Sequence, residues 1–358
     1  MRVCAHVLNA AKRRQAYARS VRPLEEHYSF PFFFSPVLSA TDIEAKPFVL
    51  LLGQYSVGKT TFVNALLDAP SGYPGAMVGP EPTTDSFVAI MHGEHERLLP
   101  GNTAAACGDL PFQALQQKFG NSFLSRFRCV EMPSEVLKGV TLVDTPGVLA
   151  GEKQRIERNY DMTRVTEWFA ERSDIILLLF DANKLDISDE LKEILAHLHG
   201  HDDKLRIVLN KCDTMTTKEL MRVHGALMWA LSRVLKSPEV VRVYINVGHF
   251  QGAAPTPHPP PSTLPPAPDV AALFETERQE LYSELRRMPS MAAVRRINEV
   301  IRRARLALAH ALVCATLRNM MPSLWGRQPF SKVPLYMPLC CAFGRALTFS
   351  ECLTLDTF

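Results

Sequence analysis

The chain has 358 residues, 47% of them hydrophobic, which is enough for one large domain and a smaller one with sizeable cores. A net charge of +3 is too small for the total alone to argue for nucleic acid, and no apolar run approaches the ~20 residues that span a bilayer, so any membrane contact is expected to be peripheral. The eight cysteines form no C-x-x-C pair and no Cys/His cluster with zinc spacing, the pattern of a reduced, intracellular protein.

Residues 1–46 read as a helical N-terminal segment. Its first 24 residues carry Arg2, Lys12, Arg13, Arg14, Arg19 and Arg22 and no acid. That composition is transit-peptide-like, but scarce serine favours a basic surface helix. An aromatic cluster follows at Phe30 to Phe34. From Pro47 strand and helix patterns alternate. Apolar runs predict strands at Phe48–Leu52, Ser86–Met91, Val140–Val143, Ile175–Phe180, Leu205–Leu209 and Val240–Ile245. Helices are predicted from Thr60 to Leu67 and at Val165–Glu171, Asp189–His199 and Lys218–Leu235. The alternation defines an α/β domain with a mainly parallel sheet over residues 47–250.

Residues 251–270 are a proline-rich loop, with eight prolines from Pro255 to Pro268. A helical pattern then runs from Leu273 to Met288, breaks at Pro289, and resumes from about Met291 to Met320. Between Arg278 and Arg318 stand nine arginines against three acids. Val294, Ile297, Ile301, Ala304, Leu308, Leu312 and Ala315 recur at helical spacing, so this is an amphipathic basic helix. Its arginine face is either simply solvated or meets anionic lipid or a partner. The C-terminal helices extend to 328, and residues 329–358 form a divergent tail without periodicity. In that tail Cys340 and Cys341 read as unpaired thiols, with acylation as the alternative.

The segment Gly53-Gln54-Tyr55-Ser56-Val57-Gly58-Lys59-Thr60 fits G-x-x-x-x-G-K-[ST] between a buried strand and a helix. Gly53, Ser56 and Gly58 belong to a loop whose N–H groups converge on phosphate oxygens, beside the helix N-terminus that carries Thr61. Lys59 reaches the β- and γ-phosphates, and the Thr60 hydroxyl is a ligand for Mg2+. Asp144-Thr145-Pro146-Gly147 follows a predicted strand. There Asp144 holds Mg2+ through water and the Gly147 N–H senses the γ-phosphate. Asn210-Lys211-Cys212-Asp213 follows another strand and is a base-recognition pattern that favours guanine. Thr84, in Pro82-Thr83-Thr84-Asp85, is placed to close over Mg2+ and the γ-phosphate. In this order the set defines a P-loop, GTPase-like nucleotide-binding domain. Val148 occupies the position where small GTPases carry a water-orienting Gln, so Gln54 is the nearest polar candidate. With Gln54, Lys59 and Thr84 as the catalytic set, slow hydrolysis dependent on assembly is expected; the alternative is a binding-only switch.

The long blocks Gly53–Phe62, Val78–Phe87, Asp144–Arg155, Glu167–Arg172, Phe180–Glu190 and Leu220–Trp229 resemble the EH-domain-containing (EHD) family. The resemblance begins near Pro23 and fades after Ser323. It implies a dynamin-type G domain plus an α-helical, lipid-binding domain built from N- and C-terminal segments. It further implies a membrane-remodelling ATPase that forms homo-dimers and higher oligomers on anionic membrane lipids in endocytic recycling. Such a protein would be cytoplasmic and peripheral on endosomal or plasma membrane. The family resembles GTPases but binds ATP, so ATP is expected here and GTP is the alternative. Trp229 matches a tryptophan in the family's dimer interface; the other reading is an ordinary core tryptophan. Trp325, Arg327 and Lys332 stand where the family contacts membrane, although Trp325 could equally be a staple inside the helical domain. No EH module or EF-hand loop pattern follows, so Asn-Pro-Phe peptide partners are not expected.

Two competing readings remain. A translation or ribosome-assembly GTPase shares the same motifs, but the arginine helix lacks the interleaved aromatics of an RNA-binding appendage, so no nucleic acid partner is expected. A truncated regulator that caps the assembly of longer relatives is the other.

Overall fold

The computed structural model describes residues 12, 14–34, 37–38, 43, 45–69, 71–76, 86–148, 160–212, 215–235, 242–246 and 268–320. Thr84, Asp213, Trp325, Arg327, Lys332, residues 251–267 and the tail 329–358 lie outside the described residues. The chain divides into two compact units, Lys46–Ala292 and a second made of Met1–Ala45 with Ala293–Phe358.

The larger unit is an α/β domain. Its strands are β1 (Phe48–Gly53), β2 (Phe87–His92), β3 (Arg97–Pro100), β4 (Phe127–Met132), β5 (Thr141–Asp144), β6 (Ser173–Asp181), β7 (Leu205–Asn210) and β8 (Val243–Ile245). They form one sheet in the order β3-β4-β2-β5-β1-β6-β7-β8. Strand β1 pairs in parallel with both β5 and β6, β6 with β7, and β7 with β8. Strands β2 and β4 also pair in parallel, whereas β2 with β5 and β3 with β4 are antiparallel. The sheet is thus mixed but mainly parallel, as expected.

Side chains alternate across the sheet, and both faces are buried. Leu50, Leu52, Val143, Ile176 and Leu178 point into one core. Val49, Leu51, Leu142, Ile175 and Leu177 point into the other. Both layers being covered explains why these strands read as unbroken apolar runs. The first face is covered by α3 (Gly101–Ala106), α4 (Gln113–Leu124), α5 (Met162–Arg172), α6 (Asp189–His197) and α7 (Thr217–Ser232). The second is covered by α2 (Lys59–Leu66), through Phe62, Val63 and Leu66, and by Leu281, Leu285 and Met288. Helix α7 begins with a capping box formed by Thr216 and Glu219.

Strands β3 and β4 were not predicted. Strand β3 is a four-residue edge strand with mostly exposed side chains. In β4 the exposed Arg128 and half-buried Glu131 interrupt the apolar run. Helix α4 bends at Gly120, whose φ of 69° lies outside helical space.

The largest departure concerns α8. The sequence predicts two helices separated at Pro289, but one helix runs from Pro268 to Met320 with that proline inside. Pro289 forfeits one backbone hydrogen bond, yet its ring packs on Gly139, where an added Cβ would lie 2.8 Å from the ring's Cγ. Met288 and Ala292 on either side are buried. The expected boundary of the helical domain at 271 also moves. Residues up to Ala292 belong to the sheet-containing unit, because Glu284 on α8 accepts from Arg206 Nε at 2.9 Å and from the Tyr244 hydroxyl at 2.8 Å.

The smaller unit joins the N-terminal segment, including α1 (Arg22–His27), to α8 from Ala293 onward. Tyr17, Val21, Phe30, Ile43 and Ala307 form its core. Arg303, fully within that interior, donates to Glu25 Oε1 from Nε at 2.6 Å and to Oε2 from Nη2 at 3.2 Å. The Tyr17 hydroxyl donates to the same carboxylate at 2.6 Å. Burial, with that hydrogen bond to Glu25 adding to it, pushes the Tyr17 phenol up to about 12. The apolar stripe does not face the interior here, although Arg302 and Arg305 are exposed as a solvated arginine face requires. Val294, Ile297, Ile301, Leu308 and Leu312 are exposed, while Arg303, Ala307 and Ala311 face inward. Small residues let the N-terminal segment approach, and the arginine is buried because a carboxylate meets it. Among the described residues no helix is long and apolar enough to cross a membrane.

Candidate nucleotide and metal site

Among the described residues, the phosphate loop, the Asp144–Gly147 motif and Asn210 with Lys211 converge at the C-terminal ends of neighbouring parallel strands, where ligands bind in open α/β sheets, while Thr84 and Asp213 lie outside the described residues. Strand β1 delivers Gly53 into a loop that closes on α2, with Lys59 and Thr60 in its first turn and Thr61 after them. Gly58 caps this helix with φ of 90°, and a Cβ there would lie 2.6 Å from Asn210 Nδ2. Only glycine meets both demands. Ser56 also lies in the left-handed region, with φ of 62°.

The Lys59 ammonium is buried and donates to the carbonyls of Gly53 and Gln54, each at 3.0 Å. It is therefore held inside the loop rather than spread over the surface. Thr60 and Asp144 meet: the threonine hydroxyl donates to Asp144 Oδ2 at 2.8 Å. Thr145 anchors the end of β5 by donating to Leu51 O at 2.7 Å. Gly147 passes so close to the loop that a Cβ would lie 2.7 Å from Tyr55 Cα. The Tyr55 N–H donates to Val148 O and the Val148 N–H to Gly53 O, both at 3.1 Å. These bonds lock the two motifs together.

Asp144 is fully buried. Burial pushes its carboxyl up, while the Lys59 charge and the hydroxyls of Thr60 and Tyr73 act in the opposite direction. Its Oδ1 has no hydrogen-bond partner among the described residues. A buried carboxylate oxygen left open beside a threonine hydroxyl and a lysine fits a hard divalent cation such as Mg2+, bound through carboxylate, hydroxyl and phosphate oxygens. Thr60 and Asp144 are the residues that would hold it.

The base-recognition motif is joined to the phosphate loop. Asn210 Nδ2 donates to Val57 O at 2.8 Å, and Asn246 Nδ2 donates to Asn210 Oδ1 at 3.0 Å. Lys211 adopts φ of 62°, and its ammonium donates to Ser56 O and Asp181 Oδ2, both at 2.7 Å. A non-glycine residue in that conformation costs about 1–3 kcal/mol, and here two bonds hold it. Gln54 donates from Nε2 to Asp186 O at 2.5 Å, so its amide is engaged by the loop after β6. Sequence reasoning missed Tyr73, Asp181 and Asn246. Tyr73 sits among glycines and prolines with no periodic pattern around it, and Asn246 follows a three-residue strand.

Trp229 lies on α7 but outside the core. It is 65% exposed with Arg233 stacked over its ring, while Leu220, Leu227 and Leu231 carry the buried face. The core-tryptophan reading is excluded. Met221, at 73%, is exposed on the same helix.

Strand, phosphate loop, metal aspartate and base motif in this order define a P-loop nucleotide-binding domain of the dynamin type, and the model of the Dynamin family matches residues 49–212. A model described as N-terminal EH-domain containing protein matches residues 14–44, and a domain of unknown function (DUF5600) matches residues 291–343. The chain is 50% identical over 319 residues to EH domain-containing protein 1 of Homo sapiens, covering 89% of this chain and 57% of that protein. It is 51% identical over 314 residues to EH domain-containing protein 1 of Arabidopsis thaliana, covering 88% and 56%. Against EH domain-containing protein 3 of Homo sapiens it is 49% identical over 332 residues, covering 93% and 59%. The chain belongs to the EH-domain-containing family. It spans somewhat more than half the length of these relatives.

Proposed function

We propose that this chain is a slow, Mg2+-dependent nucleoside triphosphatase that remodels membranes. The observation that carries the reading is the buried Asp144 carboxylate, open at Oδ1 and hydrogen-bonded to Thr60 at the start of the phosphate-loop helix. Lys59 and the loop N–H groups bind the triphosphate and offset its charge. Thr60 and Asp144 hold the metal, which supplies further charge neutralisation when bound. Gly147 reads the γ-phosphate, and Thr84 closes over it. Gln54 is the candidate for orienting water, released from Asp186 when the nucleotide is in place.

ATP is the proposed substrate, with GTP as the alternative. Asn210 spends one amide proton on Val57 O, and its second is available to N7, an atom that adenine and guanine share. Only Asp213 would select guanine, so the motif by itself does not exclude ATP. Competition of unlabelled ATP and GTP for a fluorescent nucleotide tests this: ATP is expected to displace the probe at lower concentration, and a clear GTP preference would overturn it.

Dimerisation through α7 is part of the proposal, supported by the exposed Trp229 and Met221. Burying a tryptophan at an interface centre contributes on the order of 2 kcal/mol or more. Trp229→Ala is therefore expected to yield monomers in light scattering at concentrations where the parent chain is dimeric; an unchanged dimer would remove this helix from the interface. Oligomers on anionic lipid, and a cytoplasmic, peripheral location on endosomal or plasma membrane during endocytic recycling, complete the reading. Membrane contact is assigned to Trp325, Arg327 and Lys332.

A further inference from the structure

Tyr73 is a buried aromatic residue to which no motif assigns a role. Its ring is 2% exposed and packs in the core beneath α2. Its hydroxyl donates to Asp144 Oδ2 at 2.9 Å, across 71 residues of sequence. The backbone fixes this placement: the Tyr73 N–H donates to Asn64 Oδ1 at 3.2 Å, and the Ala76 N–H donates to Tyr73 O at 2.8 Å. Asp144 Oδ2 thus receives two hydroxyl protons, from Thr60 and Tyr73, while Oδ1 receives none.

A carboxylate turns about its terminal torsion with little hindrance. One donor on Oδ2 would leave that rotation loosely defined. Two donors arriving from different elements, α2 and the segment after it, fix the carboxylate plane and leave Oδ1 as the open oxygen. Neither hydroxyl competes for that oxygen. The tyrosine body is apolar and packed, and among the described residues its hydroxyl donates to this carboxylate.

We propose that Tyr73 is a positioning residue for the metal: it orients Asp144 so that Oδ1 faces the divalent cation that accompanies the triphosphate. The inference rests on the nucleotide-site reading above and deepens it. Outer partners of metal-holding groups commonly carry a 10–100-fold effect on metal affinity.

The test is Tyr73→Phe in the full chain, which keeps the packed ring and removes the hydroxyl alone. Fluorescent ATP binding is titrated with Mg2+, and nucleotide affinity is measured separately in EDTA, together with the melting temperature in EDTA. The expected result is a Mg2+ half-saturation raised about tenfold, with nucleotide affinity and melting temperature in EDTA unchanged. An unchanged Mg2+ half-saturation overturns the proposal. So does a loss of EDTA affinity and melting temperature that accounts for the whole Mg2+ effect, because the hydroxyl would then be structural only. A parent chain that binds nucleotide with no Mg2+ dependence at all would instead sink the nucleotide-site reading itself.

Discussion

Lys59→Ala is expected to weaken triphosphate binding by about 100-fold or more, because truncating one partner of a buried charge pair costs about 2–5 kcal/mol and each 1.4 kcal/mol is tenfold. The ammonium sits inside the loop, bonded to the carbonyls of Gly53 and Gln54. It is also the charge that most favours the ionised form of Asp144 against burial. Its loss therefore removes a phosphate contact and weakens the metal site together. Titration with a fluorescent nucleotide in Mg2+ measures the effect. Affinity within threefold of the parent chain would contradict the assignment of the phosphate loop.

The second large effect is on stability. Arg303→Met leaves the Glu25 carboxylate in an apolar interior without its cation, and breaking a buried pair in this way costs about 3–5 kcal/mol. The ion pair joins residues 278 positions apart, so it fastens the N-terminal segment to α8 within the smaller unit. Urea unfolding should show the loss, and the double variant Glu25→Met/Arg303→Met should recover much of it, since replacing both charges by apolar groups is often close to neutral. Equal destabilisation in the single and double variants would mean that shape, not charge compensation, holds the segment.

These expectations also show where the sequence was legible. The phosphate loop, Asp144 with Gly147, and Asn210 with Lys211 were readable because each is a local backbone device next to a buried strand. The structure brings them together through strand adjacency, with β5 and β6 flanking β1 and β7 beside β6. The unread parts depend on contacts between distant residues. Nothing around Pro289 announces that Gly139 receives its ring and lets the helix continue. The apolar stripe of α8 did not reveal which side packs inward, because a buried arginine is intelligible only with Glu25 in view. Tyr73 carries no pattern, and its meaning lies entirely in the carboxylate that it meets. Trp229 looked the same in sequence as a core residue, and burial alone separates it from Trp168, which is 1% exposed.

ATP hydrolysis by the full chain, measured in Mg2+ with and without anionic liposomes, tests the central claim most directly. Slow turnover in solution, several-fold faster turnover on liposomes, and neither in Lys59→Ala are the predicted results. A rate indistinguishable from that variant under both conditions would contradict it.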